Sequence, residues 1–324
     1  MCPFCKSYKT GKLFDLDKRV YGDRFSIVKC EVCGIAWTDP IPDEREISKF
    51  YPEEYHGKMG RQRFMPVMEF LVWLSRSKRA KEVSSLNSVL PGKILDIGCG
   101  RGWMISILKR MGWEVYGTEL SVESSSFARE SLNLNVLTKK VADCNFQSGH
   151  FDVVTLWHVL EHLPDPISGL KEINRILKNK GALVVEVPDL GGFQARLFGN
   201  KWFHLDSPRH LFHFTDKTLK RCLEDTGFKV IKRRNMSWEY DLFGFVQSSL
   251  NLLCFKFDYL YNFLRSRDGR MIKGPPLRYI WDLLASIVLF PFLLAVSVPV
   301  SLISSALGAG GTIKYHCIKR PDLK

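Results

Sequence analysis

The chain has 324 residues, 45% of them hydrophobic and 25% charged, which leaves room for one large α/β core and a smaller module. Its formal net charge of +13 predicts attraction to a polyanion: nucleic acid, an anionic membrane leaflet or a phosphorylated substrate. Nine cysteines without framework spacing argue against a secreted disulfide scaffold and for a reducing compartment. Because Met1-Cys2-Pro3-Phe4-Cys5 enters a cysteine motif at once, no cleaved leader is expected.

Residues 1–40 read as a small metal module. Cys2-Pro3-Phe4-Cys5 and Cys30-Glu31-Val32-Cys33 are two thiol pairs separated by a hairpin-like stretch. Each pair can reach one tetrahedral ion, and four thiolates leave no open position, which predicts structural zinc on Cys2, Cys5, Cys30 and Cys33. Four unliganded thiols or a redox pair is the alternative. Residues 41–90 form a linker with N-terminal helices: a short helix over 44–51, then a basic segment, 58–81, with an apolar centre. Phe70, Leu71, Trp73 and Leu74 make one face of that segment, either packed ahead of the first core strand or resting on an anionic membrane.

The core, residues 91–236, is organised by Lys93-Ile94-Leu95-Asp96-Ile97-Gly98-Cys99-Gly100-Arg101-Gly102. A short apolar strand runs into three alternate glycines, and an amphipathic helix, 103–111, follows. Such a turn at the carboxyl end of a parallel strand is where open α/β sheets bind ligands. A second strand, 114–117, leads to Glu119, about 20 residues past the turn, the spacing at which a carboxylate accepts both hydroxyls of a ribose.

Here the sequence resembles the class I S-adenosylmethionine-dependent methyltransferases, whose first motif is similar to Leu95–Gly102. The resemblance continues to about Arg234 and resumes in the last strand. It implies a Rossmann-like seven-stranded sheet and S-adenosylmethionine as cofactor, admitted by Gly98, Gly100 and Gly102 behind Asp96, with its ribose on Glu119. Asp143, beyond a weak third strand (136–140), fits loosely the position that bonds the adenine amino group. In relatives with a similar cysteine module, a segment like Phe50-Tyr51-Pro52-Glu53-Glu54-Tyr55 folds over the cofactor, so Tyr51 or Tyr55 is expected to line the site or to pack.

A fourth strand, 151–156, delivers Trp157-His158-Val159-Leu160-Glu161-His162-Leu163-Pro164-Asp165-Pro166, with three ionisable side chains where a catalytic base belongs. The block is similar to that of quinone-biosynthesis O-methyltransferases. The resemblance places Glu161 and His162 at metal-ligand positions, but the upstream glutamate is His158 here, against a hard magnesium site. His158, Glu161 and His162 therefore bind a softer ion, act as base, orient one another, or brace the loop. Trp157 is expected to flank the methionine portion of the cofactor. A helix over 167–177 and a fifth strand, 182–187, lead to a long loop, 189–215, that reads as a substrate lid. In it His210 is the candidate base or substrate contact. A helix at 217–225 and a sixth strand, 228–233, follow.

The seventh strand, 312–319, opens a final segment of residues 312–324, so 237–311 is an insertion ahead of it. It holds a mixed apolar segment (242–264), a basic link with Arg265, Arg267, Arg270, Lys273 and Arg278, and an uncharged run (283–307) long enough to cross a bilayer. Strands six and seven share a sheet, so the insertion crosses an even number of times or enters and leaves by the same face. Pro291 and Pro299 each interrupt a helix, which predicts a broken, re-entrant or interfacial hairpin, or else a buried dimer interface or core hairpin.

The expectation is a methyltransferase, peripheral or monotopic on the cytoplasmic face of the membrane, acting on an amphiphilic acceptor: a lipid-linked saccharide, quinone precursor or lipid headgroup. The alternatives are an RNA methyltransferase using the zinc ribbon and positive charge, and a soluble small-molecule or sugar enzyme. Against RNA, the basic residues cluster around apolar segments rather than among exposed aromatics. A homodimer is the further partner expected.

Overall fold

The computed structural model describes residues 1–16, 24–51, 66–86, 91–254, 256–265 and 276–321. Tyr55, the basic residues 58, 61 and 63, and link residues Arg267, Arg270 and Lys273 lie outside the described residues. The chain assorts into two units, Met1–Phe50, Pro188–Thr218 and Asn235–Ile313 in one, Tyr51–Val187, Leu219–Arg234 and Lys314–Lys324 in the other.

In the first unit, strands β1 (Thr10–Asp15), β2 (Ser26–Cys30) and β3 (Ala36–Asp39) form an antiparallel meander, followed by the short helix α1 (Glu44–Ser48), which Asp43 caps. The stretch read as a lid is more structured than its composition suggests. It holds a short helix at Phe193–Phe198, and its end, Phe212–His213, pairs antiparallel with β3, opposing Ala36 to His213 and Trp37 to Phe212. Two residues are too few to show strand alternation, and their partner lies far upstream, so nothing local announces them. Trp202, Leu205, Ile27 and Ala36 pack into a common core.

The second unit carries β4 (Lys93–Ile97), β5 (Glu114–Thr118), β6 (Asn135–Leu137), β7 (Phe151–Trp157) and β8 (Leu177–Pro188), with β9 being the Phe212–His213 strand of the first unit. Strands β10 (Phe228–Arg234) and β11 (Thr312–Lys319) complete a sheet of order β10-β11-β8-β7-β4-β5-β6. Neighbours from β6 to β8 are parallel, whereas β11 runs antiparallel to β10, as the resemblance implies. The third strand is shorter than expected, and the fifth longer, since β8 starts directly after the preceding helix.

Helix α2 (Pro66–Ser84) buries Arg79, Ala80 and Val83. Phe70, Leu71, Trp73 and Leu74, expected as a face that either packs ahead of β4 or rests on a membrane, stay 43–57% exposed. Helices α3 (Trp103–Arg110) and α5 (Pro166–Ile176) match the sequence reading within a residue or two, and α4 (Val122–Leu132) falls within a residue of the helix its sequence predicts over 121–131. The helix at Phe193–Phe198 is α6, and α7 (Asp216–Asp225) precedes β10.

The insertion folds as α8 (Trp238–Leu253), α9 (Tyr259–Arg265) and α10 (Pro276–Ala306). Its ends are tied: Asn235 Nδ2 donates to the Ser305 carbonyl at 2.8 Å, and Ser305 Oγ to Asn235 Oδ1 at 3.2 Å. The hairpin therefore leaves and returns at one place. The expected break does not occur, because α10 runs unbroken through Pro291 and Pro299. Each proline removes a single donor, and Ala285, Leu289, Phe290 and Leu293 hold the helix against Val246 and Leu250 of α8.

Candidate cofactor site and its charged surround

The strand β4 ends in backbone that only glycine adopts without strain. Gly98, Gly100 and Gly102 have φ of +68°, +55° and +76°. A Cβ on Gly98 would stand 2.5 Å from Val159 Cγ2, whereas one on Gly100 would meet no protein atom within 4 Å. Gly98 is thus required by packing and Gly100 by its φ, with open space beyond it. The amides of Gly98 and Cys99 donate to the Thr118 carbonyl at 2.8 and 3.0 Å, fastening the loop to β5. Glu119 reaches the same loop: its carboxylate accepts from Gly100 N at 2.9 Å and from Ser121 N at 2.8 Å.

Asp96 is buried and accepts a 2.6 Å bond from Thr155 Oγ1. Burial pushes its carboxyl up to about 7, although Thr155 and Arg79 pull the other way. Asp143 sits exposed on a single turn, Val141–Cys144.

At the carboxyl end of β7, His158 adopts φ +55°. Its amide donates to the Glu186 carbonyl at 2.8 Å, Nε2 lies 3.0 Å from Glu186 Oε1, and Nδ1 lies 3.4 Å from Glu161 Oε1. The imidazole is gripped by two buried carboxylates. His162 instead places Nδ1 at 3.1 Å from the Tyr51 hydroxyl, so Tyr51 lies in this constellation as one expectation had it.

Glu186 is the hub of a charged network that sequence reasoning missed. Arg79 approaches its Oε1 at 3.2 Å and Lys314 its Oε2 at 3.3 Å. Lys314 and His316 reach Glu82 at 2.8 and 2.9 Å. Burial alone would raise the Glu186 carboxyl, but Arg79, His158 and Lys314 hold it well below the usual range. Glu82 is held at about 2, with His316 and Lys314 overcoming burial. The Arg79 guanidinium and the Lys314 ammonium lie 4.5 and 5.1 Å from the ring centre of Trp157, so the indole packs among cations. Two sequence signals pointed here: a glutamate inside the apolar run Ala182–Val187, and Lys314 alternating with His316 on one face of β11.

His210 belongs to the other unit. It is buried, with Nδ1 at 3.0 Å from the His204 carbonyl and Nε2 at 3.8 Å from Asp206. His213, whose Nε2 lies 3.2 Å from both Thr38 Oγ1 and Ser207 Oγ, is pushed down to about 3 by burial.

In the same unit the sulfur atoms of Cys2, Cys5, Cys30 and Cys33 all lie within 4.8 Å of one another, with Cys2–Cys33 and Cys5–Cys30 at 3.5 Å. The Cys33 amide points at Cys30 Sγ at 3.5 Å. Burial opposes ionisation of Cys30, but the amides of Cys33 and Val32 and the neighbouring thiols bring it to about 6. Four converging soft donors with amide support are a donor set that zinc fits.

A family model described as a methyltransferase domain matches residues 69–233. A ubiquinone biosynthesis O-methyltransferase of Xanthomonas oryzae pv. oryzae is 29% identical over 146 residues, covering 43% of this chain and 61% of that protein. One of the same description from Cupriavidus pinatubonensis is 24% identical over 218 residues, 62% of this chain and 84% of that protein. The chain thus spans about three fifths of the length of the first of these relatives. The solved structure of the cyclase SpnF aligns over 86% of this chain and 97% of its own at 15% identity, with a TM-score of 0.52. That likeness concerns the fold alone.

Proposed function

Because the chain belongs to the methyltransferase-domain family, we propose that it transfers the methyl group of S-adenosylmethionine to an amphiphilic acceptor at an anionic membrane surface. The sheet and its glycine cradle are those of a class I S-adenosylmethionine-dependent enzyme. The cofactor, when bound, supplies a methyl group on a positively charged sulfur. Gly98, Gly100 and Gly102 admit it, Glu119 receives its ribose hydroxyls, Asp143 its adenine, and Trp157 flanks its methionine end.

His162 takes the proton from the acceptor nucleophile, with Tyr51 orienting its ring. His158 is held by Glu186 and Glu161 and keeps the loop after β7 in place. Structural zinc fastens the N-terminal cysteines.

The observation that carries the membrane assignment is α10. Residues Ile280–Ala306 form 27 helical residues apolar enough to cross a bilayer, yet only 17% of their most apolar stretch is buried. Ile287, Val288 and Phe292 are 62%, 57% and 68% exposed. Exposed apolar area on this scale calls for a partner, and the arginines and lysine between α9 and α10 in the sequence favour anionic headgroups. None of the nine cysteines is in a disulfide, which is in keeping with a reducing compartment.

Flotation of the full chain with phosphatidylglycerol-containing liposomes tests this. Wild type is expected to float. A Val288→Glu/Phe292→Glu variant, altered only on the exposed face, is expected to remain in the dense fraction while still binding S-adenosylmethionine. If wild type stays dense as well, α10 is an interface between copies of the chain or with another protein, and a soluble acceptor becomes the better reading.

A further inference from the structure

The insertion holds more buried polar side chains than a membrane-docking hairpin needs. In α8, Gln247, Ser248 and Asn251 are fully buried. Gln247 and Asn251 brace the turn into α9, while Ser248 Oγ accepts from the Phe203 amide at 2.9 Å. Gln247 Nε2 donates to Asn251 Oδ1 at 3.0 Å, and Gln247 Oε1 accepts from the Tyr261 amide at 2.9 Å. Asn251 Oδ1 also accepts from the Asp258 amide at 2.9 Å, while its Nδ2 donates to Asp258 Oδ1 at 2.9 Å. Asp258 is held at φ +54°. Asp282, the single charge ahead of the apolar run, accepts from the Lys256 amide at 3.0 Å and steadies the approach to the turn. Polar groups buried at this cost, and satisfied, fix a conformation.

That conformation makes one wall of a cleft. Phe257, Asp258, Tyr261 and Asn262 face Ser207, Pro208 and Arg209 from the stretch read as a lid, with Phe50 beside them. The cleft, of about 190 Å³, lies wholly within the first unit. Tyr261 is set edge-on against Phe203, with ring centres 5.1 Å apart, so its plane is fixed. Arg209 Nε donates to Asp206 Oδ1 at 3.0 Å, which fixes the guanidinium.

We propose that this cleft is a saccharide subsite that seats a pyranose ring of the acceptor. Three aromatic side chains offer apolar faces for the C–H face of a sugar, and a carboxylate, a carboxamide and a guanidinium offer acceptors and donors for its hydroxyls. One cation and one anion in the lining leave no excess charge, which suits a neutral polyol better than a phosphate or a quaternary ammonium. The cleft also opens on α9, the element immediately ahead of the basic link, where a sugar carried by a membrane-embedded tail would arrive. The inference rests on the reading of an amphiphilic acceptor and narrows it from quinone precursors and lipid headgroups to glycosylated molecules.

The test is saturation-transfer NMR on the full chain, with S-adenosylmethionine affinity measured in parallel by calorimetry. Three probes are used: a panel of methyl glycosides of hexoses, 6-deoxyhexoses and N-acetylhexosamines; decyl maltoside below its micelle concentration; and decyl phosphocholine as a tail without sugar. Sugar-ring protons are expected to receive saturation, and Tyr261→Ala and Asn262→Ala each to weaken that binding by about tenfold, the loss of one good contact. Tyr261→Phe, which keeps the aromatic face and the fold, is expected to retain most of it, and S-adenosylmethionine affinity to stay within about twofold throughout. Ring saturation with decyl maltoside alone identifies a lipid-linked sugar; saturation with methyl glycosides as well identifies a site that takes the free sugar. Silent ring protons on every glycoside, or variants that bind as wild type does, overturn the subsite. If they do so while S-adenosylmethionine still binds, the methyltransferase reading stands; if the wild type fails to bind S-adenosylmethionine, that reading falls instead.

Discussion

At the scale of single residues, the cofactor loop is decided by what a methyl group would strike and by backbone angle. Gly98 has no room against Val159, whereas a Cβ on Gly100 would meet open space, so there it is the φ of +55° that calls for glycine. Asp96 adds a pH signature. Its carboxyl titrates near 7 in the fold, against about 4 in an unfolded chain, because burial disfavours its charge. Between those values the folded state holds a proton that the unfolded state releases, so stability falls as pH rises through the window. Above pH 7 the cost is complete, on the order of 2–4 kcal/mol. Asp96→Asn retains an acceptor for Thr155 and is expected to be more stable than wild type at pH 8, with the gap closing toward pH 4. Urea unfolding at several pH values reads this, and parallel stabilities for the two proteins would refute it.

His162 carries the other residue-scale expectation. His162→Ala should lower methyl transfer by about 10²–10⁴-fold with S-adenosylmethionine affinity nearly unchanged; turnover is read as S-adenosylhomocysteine formed with membrane extract as acceptor source. An equal loss of cofactor affinity would make His162 structural. The loop glycines and the His158-Glu161-His162 cluster were legible because local spacing encodes them. The partners that grip His158 were not, since Glu186 stands on the next strand and Arg79, Glu82 and Lys314 come from opposite ends of the chain.

At the scale of elements, strands and helices with strong periodicity fell where the sequence placed them, while short or context-dependent pieces did not. The strand Phe212–His213 exists only through β3, and α10 passes two prolines because packing on α8 outweighs two missing donors. The face of α2 was left open by the sequence, to pack or to rest on a membrane; Phe70 and Trp73 stay exposed, whereas Arg79 is buried against Glu186. The cysteine module makes its own prediction. Elemental analysis of protein purified without chelator should give about one zinc per chain, and Cys5→Ser should lower it, since the exposed fourth ligand closes the shell. Chelation should lower the melting temperature of wild type and leave that of the metal-free variant unmoved. Full zinc occupancy in Cys5→Ser would exclude a four-sulfur site.

For the whole molecule, the feature with the widest reach is the position of β11 after the insertion. Lys314 and His316, which complete the charged network around Glu186 and Glu82, lie beyond α10 in the chain. Synthesis runs from the N-terminus, at about 5–20 residues per second. Until Thr312–Lys319 is made, the sheet lacks two of its six neighbour pairings, β10 with β11 and β11 with β8, and Glu186 lacks its lysine. A chain ending before Thr312 would carry α10 but leave β8 and β10 without the strand that stands between them. The order of segments thus makes the core sheet depend on the last residues of the chain, so that truncation behind α10 is expected to remove Lys314 and His316 and the closure of the sheet together.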